Sequence, residues 1–296
     1  MFISNYLRTQ RFDNTPTVYM KITQTRGADG KVAIAPQKAE AFEILEGHVG
    51  LGLIVLCDHA ENSFPAEYGT LGLATSELSR HIAYDIGAGA IARSISEQLG
   101  APALLSRFSR LLIDPNRGED DPTLIMRLSD GAIVPGNRHV DQAERDKRIK
   151  LFYRPYHMAI DSVIEACLAS GIPPILLSIH SFTESWKGVP RPWHAGVLWD
   201  RDPRLAQPIL DALYAENDLI VGNNQPYRGD LQGDTMWRHG TSRGLAHAIL
   251  EIRQDLIRSK QGQQSWAERL TLMMRKILAD DATTSQFRRI AIPPVE

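Results

Sequence analysis

The sequence predicts a single-domain α/β fold with a mainly parallel or mixed central sheet flanked by helices. Two short apolar runs, residues 52–57 (GLIVLC) and 175–179 (ILLSI), stop abruptly at polar residues, which is typical of strands buried on both faces. Amphipathic stretches that end at Gly100 and Gly171 lie between these runs. Strands that alternate with helices predict a largely parallel sheet covered on both faces.

The remaining elements follow the same alternation along the chain. Residues 86–99 and 156–170 have apolar residues at helical spacing, and 103–106 and 110–113 have the composition of strands around a turn. After the second apolar run, the sequence predicts a helix at 203–216, a short strand at 219–222, a long polar loop at 222–244 and a helix at 266–279. Residues 246–257 fit either a strand that enters a helix or one continuous helix, and periodicity alone does not decide between them.

Length and composition indicate one globular domain. The chain has 296 residues, of which 43% are hydrophobic and 23% charged, so it can form one sizeable core. No repeat or linker divides it. We therefore expect one domain over residues 1–296, with residues 1–48 as a less clearly patterned N-terminal extension.

Charge and hydropathy exclude several function classes. The net charge is −2 and both signs are dispersed, so nucleic acid and membrane surfaces are not expected partners. No apolar run approaches the roughly 18 residues that span a bilayer, and the N-terminus is unlike a signal peptide, so a cytoplasmic location is expected. Cys57 and Cys167 form no paired spacing and are expected to be buried free thiols.

Two histidines follow the two core strands. His59 comes directly after the first apolar run and His180 directly after the second. Ligands of parallel sheets bind beyond the carboxyl ends of strands, and catalytic zinc usually takes three protein ligands and keeps one position open. The pair therefore predicts a metal site with one ligand still to be assigned, and Glu61 is the nearest carboxylate.

Further motifs resemble a known family. The segment at 178–182 (SIHSF) looks like the one that bears the last zinc-binding histidine of zinc carboxypeptidases, and Asn116-Arg117 looks like the pair with which those enzymes hold a substrate carboxylate. Over roughly residues 50–258 the chain resembles the N-formylglutamate amidohydrolase family. The segments that carry this resemblance are DHAEN (58–62), LGL (71–73), HIAYDIGA (81–88), SRLLIDPNR (109–117), YRPYH (153–157), NNQPY (223–227), HG (239–240) and GLAHAILEIRQDLI (244–257).

The resemblance implies a phosphorylase/hydrolase-like fold and metal-assisted hydrolysis of a small acidic acyl-amino acid, N-formyl-L-glutamate first, within histidine degradation. It implies a divalent metal ion, zinc first, held by His59 and His180, with Arg117 and Asn116 on the substrate carboxylate. Glu251 resembles the general base that takes a proton from the metal-bound water. His157 and Arg138 are further pocket candidates on resemblance alone.

The third metal ligand departs from the pattern of the zinc carboxypeptidases. Those enzymes have a glutamate three residues after the first histidine, where this chain has Asn62, and Glu61 comes one residue early. His81 and Asp85 are the rivals: four residues apart at the expected opening of a helix, they would share one face and point into the pocket. Asp85 could instead orient His81 by a hydrogen bond.

Other functions remain open at this stage. The same scaffold could carry a carboxypeptidase or another N-acyl-amino-acid deacylase, because a fold does not fix a substrate. A metal-free protein that binds carboxylates is the non-enzymatic alternative, although it would have no need of Glu251. The sequence is compatible with a homo-oligomer but does not fix the oligomeric state.

Overall fold

The structure is a computed structural model that describes residues 22–26 and 31–291. Most strands belong to one mixed sheet of eight strands, with the spatial order β14-β13-β15-β10-β6-β7-β4-β3. The strands are β1 (Gln24–Arg26), β2 (Val32–Ile34), β3 (Gln37–Lys38), β4 (Phe42–Leu45), β5 (Gly47–His48), β6 (Leu53–Cys57), β7 (Ala103–Ser106), β8 (Leu128–Ser129), β9 (Ala132–Ile133), β10 (Ile175–Phe182), β11 (Ser185–Trp186), β12 (Val189–Pro190), β13 (Ala195–Leu198), β14 (Val221–Asn223) and β15 (His247–Arg253).

Helices cover both faces of this sheet. A π-helical turn, Ile149–Tyr153, continues directly into the helix that begins at Arg154. The α-helices are α1 (Thr75–Leu78), α2 (Ala88–Leu99), α3 (Gln142–Arg148), α4 (Arg154–Ala169), α5 (Pro203–Tyr214), α6 (Thr235–His239), α7 (Lys260–Ala279) and α8 (Asp281–Phe287).

Parallel pairing in the centre of the sheet brings the two histidine-bearing strands side by side. β10 pairs with β6 and with β15 in parallel, and β6 pairs with β7 in parallel, whereas β13 runs antiparallel to β15 and β4 antiparallel to β7. The carboxyl ends of β6, β10 and β15 therefore meet at one edge. The expected α/β class with a mixed sheet flanked by helices is confirmed.

The core lies on the two faces of the sheet because successive side chains of a strand point to opposite faces. Leu53 and Val55 of β6 pack into a cluster with α2, α5 and α7, while Ile54 and Leu56 pack into a second cluster with α4. All of these β6 side chains are fully buried. Burial of each contributes roughly 1.5–3 kcal/mol, which holds the strand ends in fixed positions.

Most of the expected elements are present, with three exceptions. Residues 110–113 form a turn rather than a strand, residues 81–87 are turns rather than the opening of a helix, and the expected loop at 222–244 contains α6. The ambiguous run at 246–257 contains strand β15. Helix α2 begins only after Gly87, whose φ of 84° is the left-handed conformation in which a helix cannot continue.

Cys57 and Cys167 are buried and free, as expected. Within residues 22–26 and 31–291, no helix is long and apolar enough to cross a membrane. The N-terminal extension contributes β3 and β4 to the main sheet, because Phe42–Leu45 pairs with Ala103–Ser106. Its first residues, 1–21, lie outside the described part of the chain.

Candidate active site

A cavity of about 260 Å³ opens at the edge where the central parallel strands end. Ionisable and polar side chains line most of it, contributed by several separate segments of the chain. These include His59, His81, Asp85, Arg110, Asn116, Arg117, His180, Arg228, Asp234 and Glu251. A concave site with converging polar groups at the carboxyl ends of parallel strands is the usual location of a ligand site in such sheets.

His59, Asp85 and His180 form a compact buried group. Each offers a ligand atom, and these atoms lie within 4.8 Å of one another. Oδ2 of Asp85 lies 2.8 Å from Nδ1 of His180 and 3.4 Å from Nδ1 of His59. No other group of this kind occurs among the described residues. The expectation that His59 and His180 come together is therefore met by the geometry, and Asp85 is the carboxylate beside them.

The outer nitrogens of both histidines face further carboxylates. Nε2 of His59 lies 2.7 Å from Oδ1 of Asp114, and Nε2 of His180 lies 3.1 Å from Oδ2 of Asp58. A hydrogen bond from the outer nitrogen of an imidazole to a carboxylate fixes its tautomer and its ring orientation. Both histidines are thus oriented with Nδ1 toward Asp85.

Electrostatics keep Asp85 ionised despite its burial. Loss of hydration would by itself raise the pKa of its carboxyl, but the charge of His59 and the hydrogen bonds from His180 and His59 lower it below its usual value. The buried carboxylates Asp58, Asp85 and Asp114 are balanced by the guanidinium of Arg110, which bonds Asp114, and by the more distant Arg117. Burial alone would lower the pKa of His59 and that of His180, but the neighbouring carboxylates raise both above the usual value, so the group favours positive charge, which a divalent cation would supply.

A turn rather than a helix brings Asp85 into the group. Its backbone N–H donates to the carbonyl of His59 at 2.9 Å, so residue 85 is held next to the end of β6. Since residues 81–87 are not helical, the expected shared helix face of His81 and Asp85 does not exist. His81 lies on the cavity wall instead, with its Nε2 3.5 Å from Oδ2 of Asp130.

Glu61 lies outside the group formed by His59, Asp85 and His180. Its carboxylate pairs with Arg93 at 3.2 Å and accepts a hydrogen bond from Ser63 at 3.3 Å. Because Arg93 belongs to α2, this ion pair holds Glu61 toward α2, and Glu61 is not among the residues that line the cavity. Of the two carboxylates weighed from the sequence as third ligand, Asp85 lies beside His59 and His180 and Glu61 does not.

Glu251 occupies the adjacent strand, directly opposite His180. The two residues are register partners in the parallel pair of β10 and β15, and both line the cavity. Among the described residues, Oε2 of Glu251 has no hydrogen-bond partner although it is buried. Burial raises the pKa of its carboxyl to about 7. A general base for neutral pH requires a pKa in this range.

Asn116 and Arg117 line the same cavity. Oδ1 of Asn116 accepts a hydrogen bond from the backbone N–H of Thr235 at 3.1 Å, which leaves its amide donors for a ligand. The carbonyl of Arg117 accepts from the Tyr153 hydroxyl at 2.7 Å, and that tyrosine belongs to the π-helical turn. Nε of Arg117 is buried without a hydrogen-bond partner within the described residues. The pair can therefore receive a carboxylate.

The two remaining candidates lie away from the cavity wall. His157 is buried one layer behind it, where Nε2 donates to the carbonyl of Pro115 at 3.0 Å and Nδ1 lies 2.9 Å from Nε2 of His239. Burial lowers the pKa of His157 well below its usual value, so its imidazole is neutral at pH 7. Arg138 is exposed and does not line the cavity.

Several residues of the site were not singled out from the sequence. Asp58 and Asp114 stood inside quoted motifs without a role, and Asp234 and Thr235 fell in the expected loop. Asp234 lines the cavity, accepts from the backbone N–H of Trp237 at 2.7 Å, and has its pKa raised by burial to about 7. The position of Asp58 directly before His59 was the available signal.

The chain is similar to a protein-family model and to solved structures. The family model described as N-formylglutamate amidohydrolase matches residues 51–258. The crystal structure of a gene product of Agrobacterium tumefaciens is similar, with 33% identity, a TM-score of 0.76, and coverage of 85% of this chain and 97% of that chain. That of N-formylglutamate amidohydrolase from Ralstonia eutropha JMP134 has 23% identity, a TM-score of 0.60, and coverage of 81% and 97%. No curated protein matches the sequence.

Proposed function

Because the chain belongs to the N-formylglutamate amidohydrolase family, we propose that it hydrolyses the amide bond of a small N-acyl amino acid. The first candidate substrate is N-formyl-L-glutamate, which would give formate and L-glutamate. One observation carries the proposal: Glu251, whose buried Oε2 has no hydrogen-bond partner among the described residues, stands opposite His180 in a cavity that also contains the His59, Asp85 and His180 group.

His59, Asp85 and His180 would hold a divalent cation, zinc in the first instance. Two imidazole nitrogens and one carboxylate are a ligand set of catalytic zinc, which keeps a further position open, although other divalent metals accept the same donors. The fit is supported by the buried carboxylate of Asp85 between the two histidines and by the two outer carboxylates, Asp114 and Asp58, that direct both Nδ1 atoms inward. A bound cation would polarise the scissile carbonyl and lower the pKa of water at the site.

Glu251 would act as the general base and then as the general acid. Its carboxylate takes a proton from the attacking water, and the resulting tetrahedral adduct has one new carbon–oxygen bond. Glu251 then gives this proton to the amide nitrogen as the carbon–nitrogen bond breaks, so the amino acid leaves as a neutral amine. A pKa of about 7 suits both steps, since the group can exchange its proton near neutral pH.

Arg117 and Asn116 would hold a carboxylate of the substrate at the other side of the cavity. The planar guanidinium can donate two parallel hydrogen bonds to a carboxylate. Its Nε, which has no hydrogen-bond partner in the described part of the chain, would gain an acceptor. This contact would fix the distance between the bound carboxylate and the scissile amide. A small substrate suits the cavity of about 260 Å³ better than an extended peptide.

The test is formate release from N-formyl-L-glutamate by the purified protein, before and after chelation and after zinc is restored. We expect release that chelation abolishes and zinc restores. Asp85→Asn should lower the zinc affinity by more than about 100-fold, because loss of a direct ligand should exceed the 10–100-fold cost of losing an outer-shell partner. N-acetyl-L-glutamate, N-formyl-L-leucine and a short peptide serve as comparison substrates.

The alternatives give distinct results in the same assay. Faster cleavage of the peptide would identify a carboxypeptidase, and faster cleavage of another acyl derivative would identify a different deacylase. Tight binding of the dicarboxylate without metal or turnover would identify a carboxylate-binding protein and contradict the proposal.

A further inference from the structure

The carboxylate of Asp58 receives hydrogen bonds from four side chains. Oδ2 accepts from Nε2 of His180 at 3.1 Å and from the Ser178 hydroxyl at 3.2 Å. Oδ1 accepts from the hydroxyls of Tyr156 at 2.9 Å and Thr235 at 2.7 Å. These donors come from β10, α4 and α6, so Asp58 joins three elements directly behind the cavity wall.

Thr235 connects the two parts of the site, the histidine group and the Asn116-Arg117 segment, through hydrogen bonds. Its hydroxyl donates to Asp58, which in turn orients His180, while its backbone N–H donates to Oδ1 of Asn116. The same hydroxyl oxygen lies 3.4 Å from the carbonyl of Pro115, a longer approach than the 2.7 Å bond to Asp58. Thr235 is completely buried. A single residue thus connects the histidine group to the segment that would hold the substrate carboxylate.

We propose that Asp58 and Thr235 are positioning residues that fix the distance between the metal-binding histidine group and the Asn116-Arg117 segment. Asp58 orients His180, and Thr235 connects Asp58 to Asn116 by hydrogen bonds. This inference rests on the proposed function, since the relative position of the two groups affects the reaction only if metal and substrate are bound together. Neither residue is among those that line the cavity. Each acts through a residue that does.

The secondary structure around the site explains why a hydrogen-bonded connection is needed to fix this relative position. His180 belongs to the rigid parallel sheet, whereas Asn116 lies in a turn and Thr235 begins a helix of five residues. Segments of this length have little stability of their own and take their position from tertiary contacts. Misplacement of a substrate by about 1 Å can lower the rate on the order of 100-fold, so this tie acts on the rate without touching the reacting atoms.

Two substitutions at one position give a sharp test. Thr235→Val removes the hydroxyl but keeps the branched shape and the backbone N–H to Asn116, whereas Thr235→Ser retains the hydroxyl. The matched control is Thr271→Val, because Thr271 is equally buried in α7 and its hydroxyl has no hydrogen-bond partner within the described residues. Zinc affinity, the d–d spectrum of the cobalt-substituted protein, kcat and KM, and thermal unfolding are measured for the wild type, these three variants and Asp58→Asn.

We expect Thr235→Val to lower the zinc affinity and kcat/KM about tenfold each, and to change the cobalt spectrum. Thr235→Ser and Thr271→Val should remain within about twofold of the wild type, with unchanged spectra. Asp58→Asn should weaken zinc binding by about 10- to 100-fold. A Thr235→Val protein that unfolds at a lower temperature but keeps the wild-type zinc affinity and spectrum would show a merely structural role and overturn the inference.

The affinity and spectral measurements need no turnover, so this inference and the proposed function can fail separately. If the wild type binds zinc and the Thr235 pair behaves as expected but no acyl-amino acid is cleaved, the proposed function fails and the positioning role stands. If formate is released but Thr235→Val matches Thr271→Val in every measurement, the positioning role fails alone. A wild type that binds no divalent cation contradicts both.

Discussion

Two buried carboxylates flank His180, and their surroundings differ completely. Asp58 lies behind the histidine and accepts hydrogen bonds from His180, Ser178, Tyr156 and Thr235. Glu251 lies beside it on the neighbouring strand and has one oxygen with no partner among the described residues. Burial alone would raise both pKa values, but the hydrogen bond and charge of His180 lower that of Asp58 to about 2, whereas that of Glu251 rises to about 7.

The same contrast separates the two arginines of the cavity. Arg110 donates twice to Oδ2 of Asp114, at 3.1 Å and 2.7 Å, while Nε of Arg117 lies 4.0 Å from that oxygen and has no hydrogen-bond partner within the described residues. Buried polar atoms are normally satisfied, because each unsatisfied one costs about 1–3 kcal/mol. Here the hydrogen-bonded groups, Asp58 and Arg110, keep neighbouring segments in place. Oε2 of Glu251 and Nε of Arg117 are the atoms to which water and substrate would bind under the proposed function.

The largest effect is expected from Glu251→Gln. Glutamine keeps the size of the side chain but cannot accept the proton of water, so kcat should fall by about 10²- to 10⁴-fold. Zinc affinity should change little, because Glu251 is not in the group of ligand atoms. The measurements are formate release at saturating substrate and zinc titration of the same preparation. A variant that keeps more than about a tenth of the wild-type kcat would show that Glu251 is not the base.

Arg117→Lys should have the next largest effect. Lysine keeps the charge but loses the planar fork, and hydrogen bonds to charged groups contribute about 1.5–3 kcal/mol each, so KM for N-formyl-L-glutamate should rise roughly 10- to 100-fold. The fall in kcat should be smaller. Arg138→Lys, at an exposed position outside the cavity, is the matched control. An unchanged KM would mean that the substrate carboxylate binds elsewhere.

The central sheet was predictable from the sequence because its strands are buried on both faces. The runs at 52–57 and 175–179 have no polar residues on either face except Ser178, and both form strands. The prediction of a strand at 110–113 was wrong, although the apolar residues of this segment are buried. The segment forms a turn in which Leu112 and Ile113 pack into one cluster and Leu111 into another. Apolar composition reports burial and does not distinguish a buried turn from a buried strand.

The site was predictable where residues follow core strands and not where turns deliver them. His59 and His180 could be located because strand ends have a defined place in a parallel sheet. Asp85 comes from a turn fixed by one backbone bond to His59, a contact with no local sequence pattern. Glu61 was favoured by proximity in sequence, but the direction of the chain after a strand is set by tertiary contacts such as its pair with Arg93.

The contrast between the carboxylates also predicts a modest effect on stability. The pKa of Glu251 is about 7 in the folded protein against an ordinary value of 4.5, so between these pH values the folded state holds a proton that the unfolded state releases. Ionisation of Glu251 in the unfolded chain therefore favours unfolding, so the free energy of unfolding of the metal-free wild type should fall as the pH rises from 4.5 to 7. Glu251→Gln should remove that dependence and be more stable than the wild type at pH 8, by about 1–3 kcal/mol.

Urea unfolding of both chelated proteins at pH 5 and pH 8 measures this difference. We expect the two proteins to be similar at pH 5 and the variant to have the higher midpoint at pH 8. An equal difference at both pH values would mean that the Glu251 carboxyl titrates near its ordinary value, and that its unpartnered oxygen is hydrated in solution.

The smallest effect is expected from Glu61→Gln, which tests whether a carboxylate near His59 in sequence behaves as one near it in space. Glu61 forms a partly exposed ion pair with Arg93, and such pairs contribute about 0–1 kcal/mol. Zinc affinity and kcat/KM should stay within about twofold of the wild type, in contrast to the large loss expected for Asp85→Asn. If Glu61→Gln weakens zinc binding as much as Asp85→Asn does, then the chain after β6 rearranges when the metal binds and Glu61 becomes a ligand. In that case, a missing hydrogen bond in this structure would no longer identify the residues that bind substrate or carry out the reaction.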